Sequence, residues 1–134
     1  MTLMDYPVTS EVYFTDDRSV IRYFTQGQCN ALAWEIHKLT GWQLGVLSDA
    51  PIDEDPNYLG HLFIVDPHAM IVDIRGRVHL DTFKSFWPSL TFIHLFESAS
   101  AYEQEMMLWE NDIHYTRDAD AKYWAGYIVD ILNS

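Results

Sequence analysis

Apolar positions change period along the chain, and each change predicts an element. Thr15 stands where a helix cap belongs, Asp16 and Asp17 complement the positive end of a macrodipole in the first turn, and Val20 and Phe24 form an apolar stripe that Gly27 ends. Cys29, Leu32, Ala33 and Ile36 recur at i, i+3, i+4 and i+7, which predicts a second helix over about Gln28–Thr40, with Gly41 suited to a left-handed C-terminal cap. Trp42–Leu47 reads as a short strand, and Ala50–Asn57, with its prolines and acids, as a surface loop. Leu59–Val65 and Met70–Ile74 are apolar runs separated by Asp66, Pro67, His68 and Ala69, which predicts a hairpin. Val78–Trp87 reads as a short helix stopped by Pro88, and Leu90–Phe96 as a strand expected to join the hairpin. Ser100 and Glu103 form a capping-box pattern ahead of a face carrying Tyr102, Met106, Trp109 and Ile113. Ala121, Trp124, Ile128 and Ile131 make a second stripe, so two C-terminal helices are expected to cover one sheet face, with their aromatic and Met residues as core.

This succession predicts an α+β fold. No repeat, low-complexity tract or Gly/Ser linker divides the chain, and 134 residues suit a single domain over 1–134 whose core needs no disulfide or metal. The net charge of −12 repels phosphate backbones and argues against nucleic-acid binding, while a basic protein or peptide surface would be attracted. No apolar run approaches the length that spans a bilayer, and residues 1–7 lack a basic segment followed by an apolar one, so the expected location is the cytoplasm, away from membranes. The single cysteine, Cys29, makes no internal disulfide and builds no thiolate zinc site by itself.

The order of Cys29 at a helix start, His61 on a strand and Asp73 on the next strand carries the best chemical signal. A thiol is mostly protonated at neutral pH, but a helix N-terminus and a nearby imidazolium both favour the thiolate. His61 is placed to take the thiol proton and later return one to a leaving amine, and Asp73 to fix the imidazole tautomer. Singly, each residue also fits a structural role: Cys29 as a small core residue, His61 as a core histidine bonded to backbone, Asp73 as half of an ion pair with Arg75. His61, Asp66, His68 and Asp73 match no metal-binding spacing, so neither metal nor cofactor is expected; Asp49–Asp55 lack the glycine and bidentate glutamate of a calcium loop.

Register imposes a condition on that triad. A two-residue turn at Pro67-His68 sends Asp73 to the face opposite His61, whereas a three-residue loop, Asp66–His68, sets the two directly opposite with His68 left-handed. The triad therefore predicts the longer loop.

Three short motifs, Gly27-Gln28-Cys29-Asn30-Ala31-Leu32-Ala33, Gly60-His61-Leu62-Phe63-Ile64-Val65 and Ile71-Val72-Asp73-Ile74-Arg75-Gly76, resemble the core of papain-like thiol hydrolases, the NlpC/P60 and transglutaminase-like branches in particular. They also resemble small phage and mobile-element proteins. The resemblance covers about residues 27–76. It implies a papain-like core, with the cysteine-bearing helix packed on a small antiparallel sheet and further C-terminal helices. It also implies Cys29 as nucleophile, His61 as base and Asp73 as orienter, with the Cys29 N–H or the side chain of Gln26 or Gln28 as oxyanion donor. The function expected is a thiol-dependent hydrolase or acyl transferase acting on an amide or thioester of a protein or peptide; the alternative is a non-catalytic acidic interaction protein, such as a phage-type inhibitor, bound to a basic surface.

Overall fold

The computed structural model describes residues 11–26, 29–50, 59–108 and 119–133. In chain order the elements are β1 (Val12–Tyr13), α1 (Arg18–Gln26), α2 (Cys29–Thr40), β2 (Gln43–Ser48), β3 (Leu59–Val65), β4 (Ile71–Val72), β5 (Gly76–Val78), α3 (Leu80–Ser85), β6 (Phe92–Leu95), α4 (Ala99–Leu108) and α5 (Ala119–Asn133). The strands form one open sheet in the order β1-β5-β4-β3-β2-β6, every neighbouring pair antiparallel. The fold is thus mixed α+β. Among the described residues no helix is long and apolar enough to cross a membrane.

Local chemistry explains where elements start and stop. Asp17, not Thr15, caps α1: its Oδ1 accepts the N–H groups of Ser19 (2.9 Å) and Val20 (3.5 Å), while Thr15 Oγ1 is occupied by the Asp17 N–H (3.1 Å). Gly27 lies outside the described residues. Gly41 ends α2 in the left-handed region (φ 73°), its N–H donating to His37 O at 2.7 Å. Ser98, not Ser100, begins α4, accepting the Ala101 N–H at 3.1 Å.

The strand expected over Met70–Ile74 is shorter. It ends at Val72 because Asp73 diverts its side chain to local backbone, Oδ1 accepting the Arg75 N–H at 2.9 Å, while the Asp73 N–H donates to Gly76 O at 3.1 Å. The chain bends and returns as β5, which takes Val78 from the start of the expected helix. A Cβ on Gly76 would collide with the backbone O of Val12, so only glycine lets β1 lie this close. β6 pairs with β2 rather than with the β3–β4 hairpin, because β4 already occupies the other side of β3.

Strand alternation separates two cores. Leu44, Val46, Leu62, Ile64, Val72 and Ile74 face α2, while Leu47, Phe63, Ile71 and Val78 face Phe83 of α3 and Leu90. The sheet's first cover is therefore α2, against which α5 packs, and not the two C-terminal helices. In α5, Ala121 and Ile128 are buried together with Ala125 and Leu132, and Trp124 and Ile131 lie at the margin. Tyr102 of α4 stacks on Trp34 (5.6 Å, 11°) and meets Phe96 edge-on (5.3 Å, 85°). Trp109, Ile113 and the Met106 side chain lie outside what is described.

Candidate functional site

The β3–β4 hairpin decides whether His61 and Asp73 can meet. Its register pairs Ile64 with Val72 and Val65 with Ile71, leaving a five-residue connection, Asp66–Met70, in place of the expected three-residue loop. The left-handed residue is Ala69 (φ 62°), not His68. Asp66 explains the extra length. Its Oδ1 accepts the N–H groups of His68 (2.8 Å) and Met70 (3.0 Å), its own N–H donates to Met70 O, and its Oδ2 accepts Arg77 Nε at 2.6 Å, with both side chains fully buried. An ion pair so placed consumes Asp66 in holding the turn. Two added residues leave the parity of the pairing unchanged, so His61 and Asp73 share a face, now as diagonal rather than direct neighbours.

His61 Nε2 lies 2.9 Å from Asp73 Oδ2, with the histidine 1% and the aspartate 4% exposed. Both carboxylate oxygens of Asp73 are engaged, one by His61 and one by the Arg75 backbone N–H. The carboxylate thus cannot turn away from the ring without losing a backbone bond. Arg75 makes no side-chain ion pair with Asp73; its guanidinium sits 4.5 Å over Phe86 and 5.5 Å over Trp87. Trp87 in turn stacks on His61 (4.8 Å, 23°), and Phe83 flanks it at 5.9 Å. The imidazole is clamped between a carboxylate and an aromatic wall.

Cys29 is the first residue of α2 and is partly exposed, packed against the helix-side core. Because β4 stops at Val72, β3 has no β4 partner before Ile64, and through that opening the thiol and the ring share a cavity of about 10 Å³, lined also by Phe24, Leu32, Val72 and Asp73. That volume holds roughly one water. Burial has the largest influence on His61 and disfavours its charge. It is outweighed by the Asp73 hydrogen bond, then by the hydrogen bonding and charge of Cys29 and the charge of Asp73, and the pKa rises from 6.5 to about 9. Nε2 is taken by Asp73, and the buried Nδ1 makes no hydrogen bond of ordinary geometry. Nδ1 is therefore the ring nitrogen that Asp73 does not engage, and Cys29, which shares the cavity, acts on the ring by hydrogen bonding and by charge.

The Gln26 side chain, all of Gln28 and residues 51–58 of the acidic loop lie outside what is described. His68 remains in the hairpin loop, and among the described residues no three His, Cys, Asp or Glu side chains are placed to hold a metal. Sequence reasoning missed Phe83 and Trp87 as the wall around His61, because nothing in helical or strand periodicity brings residues 83 and 87 to residue 61. No protein-family model matches the chain, and comparison with curated proteins and with solved structures finds no match to it.

Proposed function

We propose that the chain is a thiol hydrolase or acyl transferase with a papain-like arrangement, attacking an amide or thioester carbonyl through Cys29. The observation that carries the reading is a buried His61 bonded through Nε2 to a doubly anchored Asp73 and sharing its cavity with a cysteine at a helix start. A ring that holds its proton through neutral pH favours thiolate on the neighbouring sulfur. The sulfur forms a C–S bond to the carbonyl carbon, the resulting oxyanion is stabilised by backbone N–H groups at the start of α2, and its collapse expels the amine or thiol, which takes the proton from His61. His61 then accepts a proton from water, or from an acceptor nucleophile, as that molecule breaks the acyl–sulfur bond. Asp73 keeps the imidazole oriented throughout.

The test uses iodoacetamide and 4-nitrophenyl acetate. Cys29 should alkylate faster than a cysteine in a short peptide at pH 6–7, and the ester should acylate the wild-type protein but not Cys29→Ala. Asp73→Asn should slow acylation by roughly a hundredfold or more while the protein stays folded. A thiol protected until the protein unfolds would overturn the proposal.

The size of the cavity favours a second reading. About 10 Å³ is far below the roughly 300 Å³ at which small-molecule pockets begin, as suits a binding module of net charge −12 with no turnover. For such a module, folded Cys29→Ala keeps the full biological effect, and reversing the acids of the Asp49–Asp55 loop removes it.

A further inference from the structure

A second, larger cavity lies against the candidate site. It occupies about 150 Å³ between α1 and α5 and is lined by Ser19, Val20, Tyr23, Phe24, Asp120 and Trp124. Phe24, 1% exposed, lines this cavity and also the small one shared by Cys29, His61 and Asp73, so one aromatic ring separates the two.

The walls are suited to one ligand chemistry. Tyr23 and Phe24 meet edge-to-face (4.8 Å, 84°), and Trp124 makes edge-on contacts with Tyr123 (5.6 Å) and Tyr127 (5.3 Å). Asp120, exposed in the first turn of α5, is the one carboxylate among the described lining residues. Aromatic faces beside a carboxylate favour a cation on an apolar stem, because ring quadrupoles and the carboxylate attract the charge while the stem leaves water. An acidic side chain is repelled by Asp120 and by the net charge of −12. A neutral aliphatic chain gains burial alone.

We propose that this cavity is the subsite for a lysine or arginine side chain of the peptide whose carbonyl Cys29 attacks. The inference rests on the thiol-hydrolase reading for its role, and on the α1–α5 cavity for its specificity.

Two experiments separate those supports. In the first, Cys29→Ala protein is titrated with N-acetyl-lysine methylamide and N-acetyl-norleucine methylamide, followed by amide NMR. Saturable shifts are expected at residues 19–24 and 120–124, with lysine bound about tenfold more tightly than norleucine. Asp120→Asn should erase that preference and Asp120→Glu should keep it, which separates the ligand's charge from the residue's place at a helix start. In the second, peptidyl acyloxymethyl ketones carrying lysine or norleucine label Cys29 of the otherwise unaltered protein. The lysine probe should label the wild-type protein about tenfold faster than the norleucine probe, and the two should label Asp120→Asn at equal rates. Equal affinities, or shifts away from α1 and α5, would overturn the subsite even where both probes label Cys29. Lysine binding as expected with neither probe labelling would overturn the hydrolase reading, and the subsite role with it.

Discussion

Raising the pH through the folded-state pKa of His61 removes a defined part of the protein's stability. The ring titrates near 6.5 when unfolded and at about 9 when folded, and each unit corresponds to 1.36 kcal/mol. The difference is on the order of 3 kcal/mol, a large share of the ~5–15 kcal/mol that holds a domain together. The sign follows from the folded value being the higher one. The protonated ring's contribution is present in full below about pH 6.5, declines as pH rises, and is gone above about 9. His61→Gln retains a donor for Asp73 but has no proton to lose, so its stability should lack this component. Urea unfolding of the two proteins at pH 6, 7.5 and 9.5, under reductant and with Cys29 retained because its sulfur contributes to the shift, gives the comparison. Because folding also releases the Cys29 proton wherever the sulfur is thiolate, which offsets the ring's slope below the ordinary thiol pKa of about 8.5, wild type should lose ground to the variant mainly as pH rises through about 9. NMR titration of the His61 ring should place its midpoint well above 6.5. Asp73→Asn should move that midpoint downward, since burial remains while the largest opposing influence is gone. A midpoint at or below 6.5, or wild type gaining on the variant between pH 7.5 and 9.5, would refute the reasoning.

Two further predictions concern what holds the site in register. Asp66→Ala should destabilise by about 3–5 kcal/mol, because it removes the carboxylate paired with the fully buried Arg77 and the acceptor of two backbone donors; Asp66→Ala with Arg77→Met should recover part of the loss in chemical denaturation, and no recovery would mean that the ion pair is not the cause. Gly76→Ala should cost about 1–3 kcal/mol and raise hydrogen exchange at β1 and β5 before the rest of the sheet, since a methyl there drives Val12 away; unchanged exchange at Tyr13 and Phe14 would count against that close approach.

The elements legible from the chain were those whose signal is local and repeated. The α2 stripe of Cys29, Leu32, Ala33 and Ile36 and its stop at Gly41 follow from helical spacing and a positive φ, and the apolar run over Leu59–Val65 coincides with β3. Local competition misled the reading elsewhere. Asp17 and Ser98 displaced Thr15 and Ser100 as caps, each set by which oxygen reaches the first free N–H groups. The strand β5 was hidden because Gly76, Arg77 and Val78 have no pattern of their own and become a strand only when β1 and β4 lie on either side.

By itself the sequence determined the α+β class, the helix that starts at Cys29, the turn between two apolar runs and the residue types needed for thiol chemistry, because each depends on neighbours a few positions apart. The tertiary structure decided whether those residues meet. Asp66 reaches eleven residues along the chain to Arg77, lengthens the hairpin loop to five residues and yet preserves strand parity, which keeps His61 and Asp73 on one face. Trp87 and Phe83 then bury the ring, and burial against a carboxylate and a thiol sets its affinity for a proton. Energies of that kind come from groups distant in sequence and adjacent in space, so no window along the chain contains them.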